Sequence, residues 1–126
     1  MDQPMMQQYM QLYQGKFGKD DFPDDFACMY FDALNGLAQA ATKAGSVDNE
    51  ALRHALTGAT IETCRGKLTF RECNNQLDCP SYVGEVVDSD KWSIPVFDPK
   101  SMIVVQGDQV WIPTCEEVTK LQKKRS

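Results

Sequence analysis

One apolar stripe constrains this chain more than any other feature. Phe26, Met29, Tyr30, Ala33, Leu34, Leu37, Ala38 and Ala41 recur at the three- and four-residue spacing of a single helix face. Asp24 and Asp25 stand in the first turn, where the positive end of the helix dipole favours carboxylates. Gly45 is placed to end the helix in the left-handed conformation that a helix C-terminus commonly uses. A stripe of this length must face a large apolar surface, and the residues ahead of it are too few to supply much of one.

Two shorter helices flank it. Met6, Tyr9, Met10, Tyr13 and Phe17 lie on one face between Pro4 and Gly18. Asp48 is a good N-cap for a third helix that Gly58 is placed to stop. The spacing therefore predicts helices over 4–17, 23–44 and 48–57. Beyond Gly58 the period changes from helical to alternating, with Leu68 and Phe70 on one face. Residues 82–87 are rich in strand formers, and 72–80 are turn-like. This reads as an antiparallel hairpin of strands 66–71 and 82–87 across a long loop. A second hairpin is expected from 102–105, the Gln106-Gly107-Asp108 turn and a short strand at 110–112. The fold class is α+β, three helices followed by antiparallel hairpins.

At 126 residues the chain has the length of one domain. Its parts are a helical region 1–58, a hairpin region 64–112 and a basic tail 119–126. Charged residues at 25% and apolar ones at 42% give a globular composition. A net charge of −5 argues against nucleic acid and anionic membranes as partners. Lys120, Lys123, Lys124 and Arg125 read as a solvated tail. No stretch approaches the roughly 18 apolar residues of a membrane span. The Gln-rich N-terminus lacks the basic and apolar regions of a signal peptide.

Little points to catalysis or cofactors. His54 stands in the third helix with no visible partner, so no dyad can be assembled and no enzyme is expected. Asp20, Asp21, Asp24 and Asp25 lack the alternating spacing and glycine of a calcium loop. Cys64, Cys73, Cys79 and Cys115 include no Cys-x-x-Cys, which opposes both zinc and a thioredoxin-like redox site. No metal and no cofactor are expected. Trp92 and Trp111 read as side chains packed against the hairpin.

Disulfides are the better use of those four cysteines, and they imply an oxidising compartment. Cys28, inside the long helix, is expected as a buried thiol. If the hairpin is right, Cys73 and Cys79 flank its loop, while Cys64 and Cys79 are separated by about 17–20 Å of strand, beyond disulfide reach. Cys73–Cys79 is favoured, then Cys64–Cys115, with a lone Cys73–Cys115 bridge as the alternative.

Several runs, in order, resemble one family. They are Phe26-Ala27-Cys28-Met29-Tyr30-Phe31-Asp32-Ala33-Leu34, Ala38-Gln39-Ala40-Ala41, Lys43-Ala44-Gly45-Ser46 and Glu50-Ala51-Leu52-Arg53-His54-Ala55-Leu56. Gly66-Lys67-Leu68-Thr69-Phe70, Arg71-Glu72-Cys73-Asn74-Asn75-Gln76 and Tyr82-Val83-Gly84-Glu85-Val86 continue the match. Together they are similar to the C-terminal segment of type I periplasmic solute-binding proteins of the branched-chain amino acid and amide group. Asn74 departs from the Asp usual there.

The resemblance implies a two-lobed clamshell that closes on an amino acid or amide and delivers it to an ABC permease, without chemistry. It implies one ligand contact on this chain, Phe26, against the ligand's side chain. It also implies a truncated chain from a periplasmic parent, missing most of the clamshell and unable to enclose ligand alone. Apolar surface that the missing lobe would cover is then expected to drive homo-oligomerisation. The alternative is a small disulfide-stabilised interaction module with no transport role.

Overall fold

The three helices begin and end where local chemistry puts them. The structure, a computed structural model, describes residues 3–110 and 113–124. Helix α1 (Pro4–Phe17) opens on proline at its first position and closes at Gly18, φ +122°. In α2 (Asp25–Ala44) the Asp24 carboxylate accepts the Ala27 N–H at 2.8 Å, and Gly45 ends the helix at φ +62°. In α3 (Asn49–Leu56) the Asp48 carboxylate accepts the N–H groups of Glu50 and Ala51. No helix among the described residues is long and apolar enough to cross a membrane.

The chain divides into two units, Met1–Leu77 and Asp78–Ser126. In the first, β1 (Thr60–Thr63) pairs antiparallel with β2 (Gly66–Thr69), Ile61 opposite Leu68. Both side chains point into the core, with Tyr9, Ala40, Ala59 and Cys64. The fully buried Thr63 hydroxyl donates to the Gly66 carbonyl at 2.8 Å and holds the turn closed. Helices α1 and α2 contact β1, and α2 contacts α3. Residues 71–76 curl into a closed loop: the Arg71 N–H donates to the Gln76 carbonyl, and Asn75 adopts φ +58°.

The second unit is a kinked hairpin. β3 (Ser81–Val83) pairs with β6 (Ile103–Val105), and β4 (Val86–Val87) pairs with β5 (Val96–Phe97) inside it, both antiparallel. Between the ladders Ser101 Oγ accepts the Glu85 N–H at 2.9 Å. A turn of helix α4 (Gly107–Val110) follows, then α5 (Cys115–Lys123), opened by a capping box between Thr114 and Glu117.

The α+β class and the helix positions agree with expectation; the strand pairing does not. The strand at 66–71 pairs with the preceding residues 60–63, and residues 81–87 pair with 96–105. Thr63 and Gly66 close a tight turn at Cys64 and Arg65, a shorter loop than the one expected over 72–81. The strand expected over 110–112 is not seen where it can be described: Val110 ends α4, and Trp111 and Ile112 lie outside the described residues. The expected solvated tail is helical through Lys123, with Lys120 pairing to Glu116 at 2.6 Å.

Helix α2 also presents a different face to its neighbours than its apolar stripe would suggest. Phe26, Met29, Tyr30, Leu34 and Leu37 are exposed, Leu34 to 70%. The inward face carries Cys28, Asp32, Gly36, Gln39 and Ala40. Gly36 is there for approach: a Cβ would stand 3.1 Å from Ile61 Cδ1. Gln39 serves the open edge of β1, donating to the Glu62 carbonyl and accepting the Glu62 N–H, both at 2.9 Å. Lys43 Nζ donates to the Ala55 carbonyl at 3.3 Å. The helix docks by small residues and polar side chains that satisfy backbone groups.

Candidate functional site

The same face of α2 places Cys28 and Asp32 one turn apart, and the β1–β2 turn brings Cys64 and Arg65 beside them. The Cys64 N–H donates to Asp32 Oδ1 at 2.7 Å. Asp32 Oδ2 lies 3.9 Å from an Arg65 guanidinium nitrogen, and the Asp32 side chain is only 5% exposed. Each thiol and an Asp32 carboxylate oxygen lie within 4.8 Å of one another. The thiols of Cys28 and Cys64 stand side by side, each perturbing the other. Burial, chiefly, raises both thiols above their ordinary range, and the Asp32 charge adds to it. Tyr9 is raised to about 12, first by burial and next by the Cys28 thiol.

A cleft of about 350 Å³ opens next to this cluster. Met29, Leu37, Leu56, Ile61, Phe70 and Leu77 line it, with Asp32 and Arg65 as its charged groups. Its volume is near the lower end for small-molecule sites, and its walls are mostly apolar.

The residues named from sequence fall elsewhere. Phe26 sits in the first turn of α2, 69% exposed, and is not among the residues lining this cleft. Cys73 and Cys115 are disulfide-bonded, whereas Cys28, Cys64 and Cys79 are reduced. Cys79 therefore does not bridge to Cys73, because the hairpin that was to bring them together pairs differently. Nor does Cys64 bridge to Cys115, because its turn is buried against α2. His54 contacts Arg53 on an exposed helix surface, and Lys91 lies over the Trp92 ring at 5.0 Å.

Asp32 and Arg65 were missed for a physical reason. Asp32 interrupts an apolar helix and reads as a solvent position, yet its partner is a backbone N–H 32 residues away. The one signal available was its spacing, four residues from Cys28 and four from Gly36, along a face of small residues.

Comparison with known proteins bears on what the chain is. Residues 1–91 match the family described as periplasmic binding protein. Among solved structures, the chain is similar to an ABC-type branched-chain amino acid transporter from Rhodopseudomonas palustris CGA009. The TM-score is 0.71 at 26% identity, over 89% of this chain and 29% of that one. It is also similar to an ABC transporter from Rhodopseudomonas palustris, with a TM-score of 0.55 at 30% identity, over 61% of this chain and 22% of that one. The chain thus spans less than a third of the length of either. No curated protein sequence matches it. With most of its length inside the match, the chain belongs to the periplasmic binding protein family, a non-enzymatic component of transport systems.

Proposed function

We propose that this chain forms part of a solute-binding protein that serves an ABC transporter for branched-chain amino acids or related amides. The observation that carries the reading is the orientation of α2. Its small and polar residues dock inward, while Phe26, Met29, Tyr30, Leu34 and Leu37 remain in water. A helix built this way is suited to being covered by further α/β structure. The similarity to a branched-chain amino acid transporter supports the ligand class.

On this reading the ligand, the permease and an extracytoplasmic location belong to a longer protein. There Phe26 would abut the ligand's side chain, while the chain alone encloses no amino acid. Genomic DNA upstream of the Met1 codon tests this. A segment encoding more of an α/β lobe, in frame or behind a frameshift, supports the reading, and unrelated sequence overturns it. Calorimetry with leucine, valine and a short amide should give no saturable heat. Tight binding by the chain alone would refute the claim that it cannot enclose ligand.

The same exposed stripe favours a second reading, an association module in which two copies cover one another's α2. Sedimentation at micromolar concentration should then show a species larger than monomer, and Leu34→Asp should return a folded monomer. A wild-type chain that sediments as a folded monomer defeats this second reading.

A further inference from the structure

Asp32 Oδ2 is a buried carboxylate oxygen without a hydrogen-bond partner, 3.9 Å from an Arg65 guanidinium nitrogen. The Asp32 carboxylate lies within 4.8 Å of the two thiols of Cys28 and Cys64, which are themselves side by side. Buried polar groups are nearly always satisfied, so an unsatisfied carboxylate oxygen beside two thiols calls for an explanation. A disulfide between Cys28 and Cys64 would not provide it, since it uses only the sulfurs.

We propose that Cys28, Asp32 and Cys64 form a binding site for a thiophilic divalent cation of the zinc class. The donor set is two sulfurs and one carboxylate oxygen, too soft for calcium or magnesium and suited to zinc. Zinc–sulfur bonds of about 2.3 Å in a tetrahedral site place donors about 3.8 Å apart. The three atoms, already within 4.8 Å of one another, need only a small rotamer adjustment.

The supporting groups are in place. Asp32 Oδ1 is held by the Cys64 N–H at 2.7 Å, which fixes the carboxylate and leaves Oδ2 to coordinate. Charge also balances: binding releases one proton from each thiol, and two thiolates, one carboxylate, one divalent cation and the Arg65 guanidinium sum to zero. The fourth position of the tetrahedron would fall to a water. The sequence concealed this site because its ligands come from positions 28, 32 and 64, with no Cys-x-x-Cys among them.

The test uses the full chain purified without reductant and stripped with a chelator. Zinc chloride is titrated against a chromophoric competitor, and cobalt(II) is used as a spectroscopic probe. The expected result is one zinc per chain, with a thiolate-to-cobalt charge-transfer band. Cys28→Ser should weaken zinc by more than about 100-fold, beyond what a supporting residue alone would cost. Asp32→Asn should weaken it at least about 10-fold, and Cys79→Ser should leave it unchanged. Serine is close to cysteine in size and Cys28 is only half-buried, so the variant should fold, which a far-UV spectrum checks. Failure to bind one zinc overturns the proposal, as does binding that survives Cys28→Ser. A Cys28–Cys64 disulfide in peptide maps of the freshly isolated chain also overturns it.

Discussion

Asp32 Oδ1 accepts the backbone N–H of Cys64 at 2.7 Å, joining the middle of the long helix to the turn of the first hairpin. The bond is buried and charge-assisted, and it satisfies a turn amide that faces α2. Asp32→Ala removes the acceptor and leaves that amide unpaired. The loss expected is about 1.5–3 kcal/mol, the range for hydrogen bonds to charged groups. Asp32→Asn, which keeps an acceptor oxygen, should lose less. Urea unfolding of the two variants checks the order, and equal losses would mean that the charge rather than the bond matters.

Gly36 meets Ile61 with no room for a side chain beyond a methyl group. Gly36→Leu should destabilise by about 1–3 kcal/mol through overpacking. Gly36→Ala gains about 1 kcal/mol of helix propensity against a 3.1 Å contact, so it should be nearly neutral. In the Gly36→Ala background Ile61→Val should cost less than it does alone. Thermal melts of the four proteins in that cycle give the coupling.

Alkaline pH should weaken the fold, and the sign follows from the buried donors. Tyr9 rises from 10.0 to about 12, and Cys28 rises from 9.0. The folded state holds these protons to higher pH than the unfolded chain does. Stability is therefore complete below the unfolded values and falls as pH climbs past about 9 toward the folded ones. Tyr9→Phe should flatten that decline. A midpoint that does not change with pH above about 9 would show that the folded chain does not retain these protons.

Thiol counting separates the possible bridges. With Cys73 and Cys115 oxidised, the denatured, non-reduced chain should titrate three thiols, from Cys28, Cys64 and Cys79. One thiol would indicate two bridges. Five would mean that the chain was never oxidised.

The helices were legible because their signals are local. Pro4, Asp24, Gly45 and Asp48 act within a turn of themselves, and each does in the structure what its residue type suggests. Strand β1 was not, since Thr60-Ile61-Glu62-Thr63 is short and offers one large apolar side chain. Partner choice was illegible for a different reason: residues 82–87 look alike whether they pair with 66–71 or with 96–105. Periodicity also located the apolar stripe of α2 without revealing which neighbour meets it. The inward face is recognised through backbone groups of β1, its turn and α3 and through the close approach at Gly36, and these leave no mark in a pattern of hydrophobicity. For that reason the Asp32 cluster, which depends on the inward face, could not be read in advance.

The nesting of β4–β5 inside β3–β6 sets a kinetic order for the second unit. The inner ladder closes only residues 88–95, a span whose ends meet on the order of 10–100 ns. Once Val87 and Val96 pair, the outer strands need close only the short kink at residues 84–85 and 98–102, and the hairpin can zip toward Ser81. Opening runs the other way. Amides of β3 and β6 should exchange with solvent before those of β4 and β5, and a protease would find the unit first at its outer end.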